Sequence, residues 1–280
     1  MASASALTVR DLHVVLRNGD SFVPLVKGVS FAVGEGEILG LIGQSGCGKS
    51  VTCLSLLDLL PTNLSRTQGE IWLQGRLISG LASSALRPYR GRDAAMILQN
   101  PMSCFNPIAT VRSHFAETLS SHGLGKSNGF MQQAEESLAE VGFPNPNEIL
   151  GLYPFQMSGG MLQRVMVSLA LCLHAPFLIA DEPTTDLDVL SQAKILDLLR
   201  VLQQKRKMGI LLVTHDLGVI ARLAGTVAVM EQGEIVETGP VNRIFSEPRH
   251  PFTKMLLEAH FGLYQAVSSL PQVKEALHKR

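Results

Sequence analysis

The sequence predicts an α/β protein with a mostly parallel sheet, an antiparallel N-terminal β region and an inserted α-helical subdomain. Three observations carry this expectation. Short apolar runs alternate with segments of helical spacing before and after a central block. Two of the runs, at 38–42 (ILGLI) and 177–180 (FLIA), are apolar throughout, as strands buried on both faces are. From 101 to 160 the β signal disappears, and helical stretches alternate with Pro, Gly and Asn turns.

Taken in order, residues 7–16 (LTVRDLHVVL) read as a strand, and 29–33 and 38–42 as further strands separated by the turn Glu35-Gly36-Glu37. A Gly-rich loop follows, and 50–60 is apolar at helical spacing until Pro61 stops it. Residues 69–77 form a hairpin centred on Gly75, and 96–98 a short buried strand. The helical block contains a helix at 132–141 and turns such as 143–147. The alternation then resumes with a helix at 162–174, a strand at 177–180, a helix at 189–207 and a strand at 210–214. A helix at 217–223 and a hairpin at 231–233 complete it, and the polar tail after Leu263 is expected to be partly exposed. This divides the chain into an N-terminal β and loop half of the core (1–100), a helical subdomain (101–165), the second half of the core (166–250) and a tail (251–280).

Composition sets bounds on function. The 280 residues suffice for one large domain with a smaller inserted one. The chain is 46% hydrophobic with mean hydropathy +0.20, which suits a fully buried sheet and surfaces reserved for protein partners. Net charge is zero, so electrostatics offer nucleic acid no support as a partner. The longest apolar run, 166–180, is interrupted by Ser168, His174 and Pro176 and falls short of the roughly 20 residues of a spanning helix. The start, MASASALTVR, lacks the basic and apolar regions of a signal peptide. Cys47, Cys53, Cys104 and Cys172 have no metal-ligand spacing and read as reduced, buried thiols of a cytosolic chain.

The chemistry concentrates in a few short motifs. Gly43-Gln44-Ser45-Gly46-Cys47-Gly48-Lys49-Ser50, with Val51 next, matches G-x-x-x-x-G-K-[ST]. Its glycines let backbone N–H groups turn towards phosphate oxygens, Lys49 adds a point charge, and Ser50 offers a hydroxyl to Mg²⁺. The helix that follows aims its positive end at the same phosphates. A strand before and a helix after make this a strong signal for ATP or GTP, and the expected core becomes that of a P-loop NTPase, RecA-like. The motif alone does not choose among kinase, GTPase, helicase and transporter.

The strand 177–180 ends in Asp181-Glu182, at the strand end where open α/β sheets bind ligands. Asp181 can hold Mg²⁺ opposite Ser50, and Glu182 can orient or deprotonate the attacking water. Two carboxylates after a core strand are common in isolation; beside a phosphate loop they point to hydrolysis. His215 emerges from the next strand and can sense the γ-phosphate. Gln99, after the strand at 96–98, can reach metal or water and link the nucleotide to the helical block. Ser158-Gly159-Gly160 caps a helix containing Gln163 and Arg164, a second anion site at a helix start. Two phosphate-binding turns exceed one nucleotide's needs, so a head-to-tail dimer, each second turn closing on the other chain's ATP, is the economical reading.

These motifs together resemble the ABC ATPase family over nearly the whole chain. Residues 43–50 resemble its Walker A, Gln99 its Q-loop, 157–161 its signature, 177–182 its Walker B, 185–188 its D-loop and 214–216 its H-loop. The resemblance implies ATP-driven closure of two nucleotide-binding domains, with Glu182 as catalytic base and His215 as γ-phosphate partner. Two departures stand out. Met161 replaces the usual signature Gln, as is common in the branch that imports peptides and nickel. Leu16 replaces the aromatic that usually stacks on adenine, with Phe22 of the following loop as a substitute.

The stretches LQNPMSCFNP (98–107), YPFQMSGGMLQR (153–164), IADEPTTDLD (179–188) and HPFTKMLLEAH (250–260) resemble the peptide/nickel importer ATPases. Asp186, where peptide members usually carry Ala, and a tail without a cysteine cluster are most similar to the first ATPase of nickel importers. The resemblance implies a sibling ATPase, two integral membrane permeases, an extracytoplasmic substrate-binding protein acting indirectly, and a peripheral place on the cytoplasmic face of the inner membrane. The alternatives are a di/oligopeptide or metallophore importer, or a soluble ABC clamp. The latter usually carries a long coiled-coil insertion or a second ATPase domain, which this sequence lacks. A P-loop kinase or GTPase leaves the Ser158 turn and His215 unexplained.

Overall fold

The computed structural model describes residues 5–124, 129–185 and 187–269, with side chains up to residue 260. Asp186 and the exposure of the tail after Leu263 lie outside the described residues and side chains. The chain opens with strands β1 (Ser5–Asn18), β2 (Ser21–Gly34) and β3 (Ile38–Ile42), helix α1 (Lys49–Leu56), and strands β4 (Leu64–Leu73) and β5 (Arg76–Leu77). Helix α2 (Ser83–Leu86) and strand β6 (Ala94–Ile97) lead into helices α3 (Val111–Ser121), α4 (Phe130–Glu140), α5 (Pro146–Gly151) and α6 (Gly159–Leu171). The second half runs β7 (Phe177–Asp181), α7 (Val189–Arg206), β8 (Gly209–Val213), α8 (Leu217–Leu223), β9 (Thr226–Glu231), β10 (Glu234–Pro240), α9 (Val241–Ser246) and α10 (Pro251–Ser269).

Two sheets form. The antiparallel sheet has the order β2-β1-β4-β5, and the six-stranded sheet the order β10-β9-β3-β8-β7-β6. Neighbours from β9 to β6 are parallel, and only β10 joins antiparallel. The period-2 alternation of each central strand divides its side chains between two cores. Leu39 and Leu41, Ile179, Leu211 and Val213, and Ala228 and Met230 join the antiparallel sheet and α1. Ile38 and Ile42, Leu178 and Ala180, Ile210 and Leu212, and Val227 and Val229 join the helices. Strands apolar on both faces are therefore the required sequence, each buried Leu or Ile contributing about 1.5–3 kcal/mol.

One pairing differs from a simple reading of the sequence. The runs on either side of Glu35-Gly36-Glu37 look like adjacent strands, yet β2 lies in one sheet and β3 in the other. The crossing turn is tied on both sides. The Glu37 carboxylate accepts from Gly34 N at 2.8 Å, and Gly36 N donates to the Lys207 carbonyl at 2.8 Å. β2 ends where its backbone partners come only from β1, and β3 begins where they come from β8 and β9.

Two further expectations are corrected. Phe22 lies in β2 rather than in a loop, because Gly19-Asp20 suffices to turn the chain and Asn18 already faces Ser21. Cys47, Cys53 and Cys172 are buried, but Cys104 is exposed in the 3-10 turn Pro101–Cys104. Burial pushes the Cys172 thiol up to about 12. Helix α6 crosses residue 165, where the sequence reading set a boundary. Residue 251, where it set the tail, opens α10, whose Phe252 and Leu257 are buried against the helix-side core. The Glu237 carboxylate receives the backbone N–H groups of Arg249 and His250 at 3.0 Å each just before that helix. No helix among the described residues is long and apolar enough to cross a membrane.

Candidate functional site

Strands β3, β8, β7 and β6 are neighbours and parallel, so their C-terminal ends form one edge. Each delivers a polar segment to it: β3 the loop 43–48, β8 Thr214 and His215, β7 Asp181 and Glu182, and β6 Gln99. Positions far apart in sequence thus converge because parallel strands share one direction.

The loop after β3 leans on the turn between β9 and β10. Gly233 N donates to the Cys47 carbonyl at 3.0 Å, and a Cβ on Gly43 would run into the Met230 carbonyl. The Lys49 ammonium, in a residue only 6% exposed, donates to the carbonyls of Gly43 (2.8 Å) and Gln44 (2.9 Å), which closes the loop into a ring. Helix α1 starts at Gly48 with no side chain capping its first N–H groups. Those donors and the ammonium are what a polyphosphate requires. A cleft of about 170 Å³ is lined by Leu25, Ser45, Gly46, Gly48, Lys49, Ser50, Val51, Gln99 and Glu182. Gln44 and Cys47 line a second cleft with Glu231, Gln232 and Phe252.

Asp181 is 4% exposed and its Oδ1 has no hydrogen-bond partner. Burial raises its pKa above the usual carboxylate range, against the opposing effect of a hydrogen bond from Ser50 and the charge of Lys49. A buried carboxylate oxygen without a partner, next to a serine hydroxyl, is a hard-oxygen set that fits Mg²⁺.

Glu182 adopts a left-handed backbone (φ 50°), uncommon for a residue with a Cβ. Its N–H bonds to the Val213 carbonyl of β8 at 2.8 Å. Its carboxylate accepts from Thr185 Oγ1 at 2.6 Å and pairs with His215 Nδ1 at 2.9 Å. Burial would raise its pKa, but the bonds from Thr185 and His215 and the charges of His215 and Lys49 hold it below the usual range. The carboxylate is therefore ionised near neutrality, and its side chain is 11% exposed against 64% for His215. An ionised carboxylate beside a phosphate loop can orient and deprotonate water.

Ser158 caps α6, accepting from Met161 N at 3.3 Å. Ser158, Gly159 and Gly160 line neither cleft around the loop. Within one chain the structure brings together the loop, Asp181, Glu182, His215 and Gln99, but not the second glycine turn. Phe22 and Leu16 are also absent from the cleft lining. Leu25 lines it instead, a residue that sequence reasoning missed because nothing but its strand register carries it there. Thr185 was legible only as part of a motif, and its bond to Glu182 only from the fold.

Comparison with known proteins agrees with this geometry. A family model described as ABC transporter matches residues 26–185. The chain is 50% identical over 242 residues to the Nickel import ATP-binding protein NikD of Rhodospirillum rubrum, covering 86% of this chain and 89% of that one. It is 46% identical over 258 residues to the protein of the same name from Pseudomonas putida, covering 92% and 96%. Among solved structures it matches the dimeric post-hydrolysis ATP-binding cassette MJ0796 bound to ADP and Pi. The TM-score is 0.75 at 24% identity, over 84% of this chain and 98% of that one. The family model over residues 26–185 and relatives at 46–50% identity over most of their length make this chain an ATP-binding cassette of the ABC transporter family.

Proposed function

We propose that the chain is the ATP-hydrolysing motor of an importer whose cargo is nickel ion. It works on the cytoplasmic face of the membrane against two integral subunits and beside a sibling ATPase. The observation that carries the hydrolytic part is the convergence of Lys49, Ser50, Asp181, Glu182 and His215 on one sheet edge. Similarity to two proteins named for nickel import, at 46–50% identity, supports the cargo.

In this reading the N–H groups at the start of α1 and the Lys49 ammonium hold the β- and γ-phosphates. Ser50 and Asp181, with Gln99 after β6, would hold Mg²⁺. The ion neutralises charge on the phosphates when bound. Glu182 draws the proton from the attacking water, and His215 both holds that carboxylate and meets the γ-phosphate. Thr185 fixes the second carboxylate oxygen. Ser158, Gly159 and Gly160 face a partner's nucleotide in a head-to-tail dimer, which explains why they lie away from this chain's own loop.

Two measurements test the proposal. Glu182→Gln in the assembled transporter retains Mg-ATP binding, loses most steady-state hydrolysis and lengthens the closed state; near-normal turnover would remove Glu182 as the base. Deleting the gene abolishes high-affinity nickel uptake. A strain that takes up nickel normally but fails on short peptides moves the cargo to peptides and leaves the ATPase assignment standing.

A further inference from the structure

Helix α6 carries the second glycine turn at its start, and four residues further on it carries Gln163. Gln163 is 2% exposed, and its Nε2 donates to the Pro183 carbonyl at 2.7 Å. A buried amide is costly unless paired, so this side chain has one orientation. The carbonyl it holds belongs to the residue directly after Glu182.

That peptide needs holding. Glu182 has φ 50°, the residue after it is proline, and non-glycine residues persist in such backbone only when their surroundings impose it. Four bonds around it come from β8, the residue after β8 or its own turn: Glu182 N to the Val213 carbonyl, Thr185 N to the Glu182 carbonyl, Thr185 Oγ1 to one carboxylate oxygen, and the pair between His215 Nδ1 and the other. Among the described residues, the hydrogen bond from Gln163 to the Pro183 carbonyl ties the turn to α6. The start of α6 also packs closely against the segment beyond Glu182: a Cβ on Gly160 would stand 2.6 Å from Ser191 Oγ, and Ser191 Oγ donates to the Asp188 carboxylate at 2.7 Å. Gln163 lies about 6 Å along the helix axis from Gly159, close enough for the helix to move as one body between them.

We infer that Gln163 is a positioning residue for Glu182: it pins the Glu182–Pro183 turn to α6, so that the carboxylate is set for hydrolysis only while the glycine turn of the same helix is seated. Placing Ser158–Gly160 on a partner's nucleotide therefore aligns this chain's own base. This rests on the reading of Glu182 as the base given above.

The test uses the full chain in its assembled complex, with Gln163→Leu and, as a closer match in volume, Gln163→Met. Nucleotide affinity and KM for ATP stay within about twofold, while kcat falls roughly 10–100-fold, as misplacing a catalytic group does. In a Glu182→Gln background the same substitutions lower residual hydrolysis no further, because the group they position is gone. A role in packing alone predicts a lower melting temperature and an additive loss. Wild-type kcat in either folded variant, or a full additive loss in the double variant, overturns the inference. If Glu182→Gln alone hydrolyses normally, the base assignment has failed; if it is inactive while Gln163→Leu is normal, only the inference has failed.

Discussion

Substituting Gly46 by Ala separates phosphate binding from folding. Gly46 has φ +79°, and a Cβ built there meets no atom of the chain within 4 Å. The cost to the fold is therefore backbone strain alone, about 1–2 kcal/mol for an L-residue in the left-handed region. In a chain of this size each kcal/mol moves the melting temperature by roughly 2–4 °C, so the variant should melt roughly 2–8 °C lower. Mg-ATP at a hundred times its Kd stabilises the wild type by about 2.7 kcal/mol, a rise of roughly 5–11 °C. The new methyl lies in the loop that lines both clefts, beside Ser45 and within the ring closed by Lys49. Thermal unfolding with and without Mg-ATP should therefore show a modestly lower baseline and no nucleotide-induced rise. Gly43→Ala is the contrast: its Cβ would strike the Met230 carbonyl and lie 2.7 Å from Cys47 Sγ, so the protein itself should lose structure. A full nucleotide-induced rise in Gly46→Ala would refute the claim that this loop cradles the phosphates. A Gly43→Ala chain as stable as the wild type would refute the packing argument.

Two other outcomes follow from single residues. Leu16 faces Val23 near the turn of the β1–β2 hairpin, and Leu25 two residues on lines the cleft. With aliphatic residues there, ATP should be only weakly preferred over GTP, and Leu16→Tyr should tighten ATP binding by about 1–3 kcal/mol; strong base selectivity in a wild-type titration would contradict this. At Glu237, burial raises the pKa, but the backbone N–H groups of His250 and Arg249 and the charge of Arg243 outweigh it and hold the carboxyl below the usual glutamate range. A lowered folded pKa means stability present above the ordinary glutamate range and lost as pH falls through the folded value. Glu237→Gln should cost on the order of 1–2 kcal/mol at pH 7 and progressively less as the pH falls below about 4.5. Melting curves whose difference stays constant from pH 7 to the acid limit would show that the carboxylate charge plays no part in docking α10.

Much of the site was legible because its motifs are local. A phosphate loop needs its glycines, lysine and serine at fixed spacing on consecutive residues, and a strand that ends in Asp181-Glu182 needs only its own neighbours to be read. The alternation of strands and helices announced the α/β class for the same reason, since each strand buried on two faces must be apolar throughout. Tertiary structure decided what depends on register and on partners distant in sequence. That β2 and β3 part company into two sheets is set by which backbone groups they meet, and the three residues between them read as an ordinary turn. Leu25 reached the cleft by strand register, and Cys104 reached the surface on a short turn between elements. The orphan oxygen of Asp181, the left-handed backbone of Glu182 and the grip of Gln163 on Pro183 arise where chain segments 20 or more residues apart close on one another. A sequence motif records which groups chemistry requires; the distances between them are properties of the packed cores, which no local spacing encodes.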